Sequence, residues 1–384
     1  MSRPLRVVVC GTTFGRVHLE ALRRPGTPAV LAGILARGSA RSTSCARRYG
    51  VPLYREVDEL PPDVDAACVA VRAGVVGGAG GALAMALLAR GIHVLAEHPV
   101  HHDELADCLR QARRHRAVYR LNNHYLQVPA VRRFVAGARA LYRHGPPRYA
   151  DAATGIQVAF AAFDILARAL PGSRPWGFAD PVSWPPALRD LAPAAPPLRS
   201  LDGVLGGVPL TLRVHNEVDP ADPDNHAHLL HRITIGTDHG NLTLINTHGP
   251  VIWSPRLHVA SQGGASQGGA GQGDAGQGDA GQSDAGQGDG SLQLPSSAVI
   301  GEPGGATFAD VLTDQWPAAM AASLTEFVAA VRRAENPLPL GQHYLTVTRV
   351  WQDATSRLGQ PEIIRASPPR ALSVDQLLRD GAVL

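Results

Sequence analysis

Lysine is absent from the 384 residues. All 36 basic side chains are arginine, set against 33 acidic ones and 16 histidines. Arginine used this uniformly fits coding in a GC-rich genome. No run of basic residues interleaves with aromatics, which argues against a nucleic-acid surface. Cysteine is scarce: Cys10, Cys45, Cys68 and Cys108 are scattered without a C-x-x-C pair. That fits reduced thiols in cytoplasm better than a disulfide framework or a zinc site. Long apolar runs are also missing. The stretch from Ala73 to Ala89 comes nearest, but it is Gly-rich in its first half and stops at Arg90-Gly91. It reads as a loop and a buried helix, not a membrane span. The opening MSRPLRVVVCG is too short in its apolar part for a signal peptide, so a cytoplasmic protein is expected.

What is present suits a soluble protein of two domains, with 45% hydrophobic and 18% charged residues. Over residues 1–122 apolar strands alternate with helices. RVVVCG, VLAGILARG, VDAACVAV, HVLAE and AVYRLN read as strands, separated by helical segments such as Ser39–Tyr49 with its stop at Gly50. This predicts βαβ units, a doubly wound parallel sheet and a Rossmann domain.

From residue 123 to 384 the pattern changes to an α+β domain. A helix from Pro129 to Tyr142 leads into the helical stretch GIQVAFAAFDILARAL and a Pro-rich connector over 171–198. From Thr211 to Val259 the apolar period falls to about two, and TDHGN reads as a hairpin turn. A large, open, mainly antiparallel sheet is expected, serving substrate binding and dimerisation in a homodimer. Residues 261–290 form a five-residue near-repeat with no apolar side chain larger than alanine, so a disordered insertion is expected. Two helices, Ala318–Glu335 and Gln342–Leu358, are expected to close the chain.

The first strand runs into Gly11-Thr12-Thr13-Phe14-Gly15 before a helix. Gly11 allows a tight turn, and the small residues allow backbone N–H groups to approach a pyrophosphate. The spacing departs from G-x-G-x-x-G, so placement after the first strand carries the assignment. After the second strand come Arg37, Ser39 and Arg41, with no carboxylate at the strand end. Two guanidinium groups and a hydroxyl suit a 2′-phosphate, so NADPH is expected over NADH. Ser39 also reads as a helix N-cap.

LAEHPVHHDEL, at 95–105, crowds His98, His101 and His102 at the carboxyl end of the fourth strand, where α/β proteins place their chemistry. Glu97 and His98 read as cofactor-side residues and His102 as a solvated residue at a helix start. His101 lies just past the fourth strand, and Tyr125 just past the fifth.

Several stretches resemble thiazolinyl imine reductases of pyochelin- and yersiniabactin-type siderophore assembly, within the superfamily of glucose–fructose oxidoreductase and inositol dehydrogenase. They are CGTTFGRVHLEAL, LARGSARS, GIHVLAEHPVHHDEL, the stretch around NNHY, GIQVAFAAFDILARAL, HRITIGTDHGNLTLINTHGPVIW and HYLTVTRVWQDATSRLG. The resemblance implies NADPH-dependent reduction of a thiazoline C=N to a thiazolidine. It implies a substrate tethered to a carrier domain of a nonribosomal peptide synthetase. Sugar dehydrogenases of the superfamily use a lysine where this chain has His98. They pair an Asp with a His three residues earlier; if Asp164 is that Asp, Ala161 stands in the His position. Imine reduction needs one positioned acid. His101 matches the acid proposed for the family, Tyr125 is the other candidate, and a shared water is the third. Two other classes remain in view: an NAD(P)-dependent oxidoreductase of a free sugar-like or imino compound, and a non-catalytic nucleotide-binding protein.

Overall fold

The computed structural model describes residues 3–73, 77–192, 196–222, 227–257, 292–301, 306–365, 367 and 370–381. The repeat at 261–290 lies outside them. β1 (Leu5–Cys10), α1 (Gly15–Arg23), β2 (Ala29–Leu35), α2 (Ala40–Tyr49), β3 (Leu53–Tyr54), β4 (Ala66–Val69), α3 (Gly80–Ala89), β5 (His93–Glu97), α4 (His102–Arg114) and β6 (Tyr119–Asn122) build the first sheet and its helices. Its six parallel strands run in the order β3-β2-β1-β4-β5-β6. The order reverses between β1 and β4, which opens a crevice at their carboxyl ends. The strands are nearly continuous apolar runs because helices cover both faces. α2 obeys its local signals: Ser39 accepts from Ser42 N, and Gly50 at φ 65° supplies the left-handed C-cap.

The second half comprises α5 (Pro129–Leu141), β7 (Pro147–Gly155), α6 (Ala159–Ala169), β8 (Trp176–Phe178), α7 (Pro186–Arg189), β9 (Leu198–Leu205), β10 (Val208–His215), β11 (Glu217–Val218), β12 (His231–Thr237), β13 (Gly240–Leu244), β14 (Val251–Pro255), β15 (Ala298–Ile300), α8 (Phe308–Asp310), α9 (Trp316–Arg332), α10 (Leu338–Leu358), β16 (Glu362–Ile363) and α11 (Val374–Gly381). Eight strands form one sheet in the order β15-β14-β13-β12-β7-β10-β9-β8. Only the central β7–β10 pair is parallel. The α/β plus α+β expectation is met, with a mainly antiparallel second sheet.

Three expectations change. The helix over Pro129–Tyr142 is expected to lead into GIQVAFAAFDILARAL, yet β7, PRYADAATG, stands between them as a central strand. Its apolar residues are mostly alanines, which carry little strand signal. Pairing with β10 and β12 on either side decides its conformation. β8 lies inside the expected Pro-rich connector, as an edge strand. α10 does not close the chain, because α11 follows it.

α9 returns from the second half to the first sheet. Met320, Leu324, Phe327 and Val328 are buried against Val7, Val9, Leu19, Ile34 and Leu95. Each such side chain contributes about 1.5–3 kcal/mol of burial energy. The α9 stem therefore fastens the two halves around the crevice. No helix among the described residues is long and apolar enough to cross a membrane.

Candidate active site

A cleft of about 2030 Å³ runs along the carboxyl edge of the first sheet and is walled on its far side by the second half. Gly11, Thr12, Thr13 and Phe14 line it; Gly15 does not. Gly11 sits at φ 89°, and a Cβ there would lie 3.2 Å from Ala70 O. A Cβ on Gly15 would press on Val9 at 3.1 Å. The two glycines thus serve different ends, a left-handed turn at Gly11 and close helix–strand packing at Gly15. A turn of this kind, opening a helix, has the backbone shape that suits a pyrophosphate.

Arg37 and Ser39 also line the cleft, with Ser42. Arg41 does not. Its Nη1 donates to Thr13 Oγ1 at 3.0 Å, so it ties the α2 start to the first loop. Arg55, just after β3, does line the cleft, and its guanidinium lies 3.1 Å from where a Gly38 Cβ would be. Sequence reading missed Arg55 because β3 has only two residues. Glu56 lines the same end of the cleft and was missed likewise.

Glu97 ends β5. His18 Nε2 donates to its Oε1 at 2.7 Å, and Asn122 Nδ2 donates to the same oxygen at 2.6 Å. Burial opposes charge on both partners. Contacts with Cys68 and Glu97 outweigh it at His18, carrying its pKa up to about 10. The His18 bond holds the Glu97 carboxyl below its usual value. Glu97 is thus an ionised brace between α1, β5 and β6.

The three crowded histidines separate in space. The ring of His98 stacks on Phe160 at 5.0 Å between centroids, and burial lowers its pKa. His101 is the exposed N-cap of α4, its Nδ1 accepting from Asp103 N at 3.3 Å. A neutral ring there carries its proton on Nε2, facing away from the helix amide. His102 accepts from Arg349 Nε at 2.9 Å and pairs with Asp103 at 3.1 Å, so it clips α10 to α4. It is half-buried and bonded, not simply solvated. Among the described residues no three His, Cys, Asp or Glu side chains gather as metal ligands.

Tyr125 lies in the short turn His124–Gln127 after β6, 6% exposed, and lines the cleft with His124. The His231 ring meets it edge-on at 5.0 Å and the His124 ring lies 4.2 Å away. His231 Nε2 donates to Val158 O at 3.2 Å, and Thr247 Oγ1 lies 2.9 Å from its Nδ1. Burial drives both His124 and His231 down to about 3, so both rings are neutral. Neither nitrogen of His124 has a hydrogen-bond partner among the described residues. His101 and Tyr125 both line the cleft, as expected from strand ends on one edge. His231 carries no sequence signal, since it reaches Tyr125 only through the second sheet.

Asp164 is fully engaged. His343 Nε2 donates to it at 2.7 Å, Arg168 Nε at 2.9 Å and Asn123 Nδ2 at 3.1 Å. Burial opposes its charge, but Arg168 and His343 hold the carboxyl well below the usual range. It does not line the cleft, and it anchors the residue two before Tyr125.

A glycine-turn cradle at the switch point of a parallel sheet, facing a second sheet across a deep cleft, defines a dinucleotide-dependent oxidoreductase. Residues 5–123 match the oxidoreductase family with an NAD-binding Rossmann fold, and residues 146–254 match the C-terminal domain of Irp3-like thiazolinyl imine reductases. The first part of the chain thus carries the Rossmann domain of that oxidoreductase family and the second an Irp3-like C-terminal domain, as the sequence resemblance implied. No curated protein matches the chain. Among solved structures, a 3-ketoreductase from Actinomadura kijaniata in complex with TDP-benzene and NADP is 18% identical, with a TM-score of 0.62 over 94% of this chain and 99% of that one. UDP-N-acetylglucosamine 3-dehydrogenase from Acidithiobacillus ferrooxidans is 15% identical, TM-score 0.59, over 94% and 97%. A levoglucosan dehydrogenase in complex with NADH and levoglucosan is 12% identical, TM-score 0.61, over 92% and 98%. These similarities describe a shared fold.

Proposed function

We propose that this protein is an NADPH-dependent imine reductase. It converts the C=N of a thiazoline, held as a thioester on a carrier domain of a nonribosomal peptide synthetase, to a thiazolidine in siderophore assembly. One observation carries the reading: the Irp3-like stretch supplies Val158 and His231, and these form the wall on which Tyr125 is set. The groups that suit polyol oxidation are missing or committed elsewhere. His98 stands at the lysine position, neutral and stacked on Phe160, and Asp164 is tied to Arg168 and His343.

The residues present fit the cofactor. The Gly11–Phe14 turn would hold the pyrophosphate, and Arg37, Ser39 and Arg55 the 2′-phosphate. When bound, NADPH supplies the hydride for the imine carbon. The chain itself must orient the substrate ring and protonate its nitrogen. The Tyr125 hydroxyl, set among the neutral rings of His124 and His231, would donate as that nitrogen becomes basic. His101 at the exposed rim, with its proton on Nε2, is placed to return a proton from solvent.

The test is NADPH consumption with an aryl-thiazoline thioester of N-acetylcysteamine. Turnover with formation of the thiazolidine supports the reading. Turnover only of nucleotide-sugar ketones or free polyols, or NADPH binding with no turnover, would overturn it.

A further inference from the structure

Gln157 sits in the short turn Ile156–Val158 that joins β7 to α6, and it lines the cleft. Its Oε1 and Nε2 are both buried, and neither has a hydrogen-bond partner among the described residues. A buried amide left this way costs about 1–3 kcal/mol, so it calls for a partner such as a water, an ion or a ligand. A second feature is independent of that count. The residue at 155 is glycine in ordinary extended backbone, φ −79°. A Cβ there would lie 2.5 Å from Gln157 Oε1. Glycine at 155 leaves room for this amide.

The turn is also fastened close to the candidate proton donor. His231 fastens it through Val158 O, and the same ring abuts Tyr125. A group bonded to Gln157 is therefore held on the Tyr125 side of the cleft. The charges there narrow its chemistry. No arginine from the second half lines the cleft among the described residues, while Arg16, Arg37, Arg55 and Arg72 all line it from the first half. His124 is neutral, and the one acid from the second half, Asp353, is paired with Arg357 at 3.1 Å.

We propose that Gln157 is a specificity-determining residue whose side-chain amide hydrogen-bonds an uncharged donor–acceptor group of the substrate beside Tyr125. A planar amide offers one donor edge and one acceptor. An aryl hydroxyl, itself both donor and acceptor, matches that pair and leaves the ring nitrogen to Tyr125, whereas an ionised carboxylate only accepts. The inference rests on the imine-reductase reading for the identity of that group.

The probes are two aryl-thiazoline thioesters of N-acetylcysteamine, one with a ring hydroxyl ortho to the thiazoline and one without. The parent enzyme is expected to prefer the hydroxylated probe by tenfold or more in kcat/KM, about 1.4 kcal/mol, as a site built to pair a hydroxyl does. Gln157→Leu should erase the preference through KM, with NADPH affinity unchanged and Tm unchanged or raised. Gln157→Met is the second variant, with an unbranched side chain of similar length. A retained preference in a folded variant overturns the proposal, and so does equal use of the two probes by the parent. Weakened NADPH binding would make Gln157 a cofactor contact, and a fall in Tm in both variants would make it a structural residue; either result overturns the proposal. Failure of the parent to reduce either probe would instead sink the imine-reductase reading. The sign of the Tm change then still tests Gln157 as a ligand-facing group.

Discussion

Two sets of histidines teach different lessons. His98, His101 and His102 adjoin in sequence, yet each does something different. The first stacks on Phe160, the second caps a helix, and the third clips α10 to α4. His124 and His231 are more than a hundred residues apart and enclose the same tyrosine ring. Clustering along the chain flagged the edge of the sheet correctly. It did not say which imidazoles act together, because alternate loop residues point to different neighbours while paired strands bring distant residues into contact.

The widest separation between the sets should appear in catalysis. Tyr125→Phe keeps the ring packing and removes the hydroxyl. It should lower single-turnover reduction by roughly 10²–10⁴-fold, the range of general acid catalysis. His101→Ala, at the solvent rim, should cost less than about tenfold on the same scale. If one network links them, the double variant should be little worse than Tyr125→Phe alone. Equal losses in the two single variants would erase the distinction between rim and wall. Near-parental rates in all three would remove both residues from the chemistry.

A second contrast lies within the cofactor end, between arginines that line the cleft and the one that does not. Arg37→Asp should shift the kcat/KM ratio of NADPH to NADH by roughly tenfold to a hundredfold toward NADH, the scale of a lost charge-assisted hydrogen bond. Arg41→Ala should change it by only a small factor, since Arg41 bonds Thr13. Equal kcat/KM for both cofactors in the parent would refute the NADPH preference.

Acid and alkali should expose the buried rings differently. His124 and His231 have folded values near 3, against 6.5 for the ordinary imidazole. Below pH 6.5 the unfolded chain binds protons that the folded chain refuses, so stability falls as pH drops, by about 1.4 kcal/mol per pH unit for each such proton. His18 runs the other way. Its folded value is raised to about 10, so its contribution is complete below pH 6.5 and is lost as pH rises toward 10. Urea unfolding across pH 5–9 should therefore peak near pH 6.5. His231→Gln should flatten the acid limb by about one proton while leaving the alkaline limb alone. A maximum above pH 8 would contradict this assignment.

The smallest effect belongs to His102. Arg349→Gln removes its exposed hydrogen bond and should cost about 1 kcal/mol or less in stability, without changing NADPH affinity. A large loss of turnover would show that His102 does more than join α10 to α4.

Much of the α1–α2 end of the cleft was legible along the chain. Gly11–Phe14 and Ser39 sit in local signals, a turn before a helix and a helix cap, and short-range sterics settle both. Arg41 shows the limit: its place in sequence suited a phosphate, and only the fold shows its bond to Thr13 across two loops. Arg55 and Gln157 were invisible because a two-residue strand and a one-turn link carry no periodic pattern.

By itself the sequence determined the alternation of strand and helix, the glycine turn after β1, the absence of a lysine at the position of His98 and the family resemblance of both halves. These depend on local conformational preference and on burial pattern, which each segment carries within itself. Only the tertiary structure decided that β7 is a central strand, that α9 seals the first sheet, that Asp164 is locked by Arg168 and His343, and that His231 stands against Tyr125. Those outcomes depend on which surfaces remain to be covered once the two sheets have formed, and no single segment holds that information.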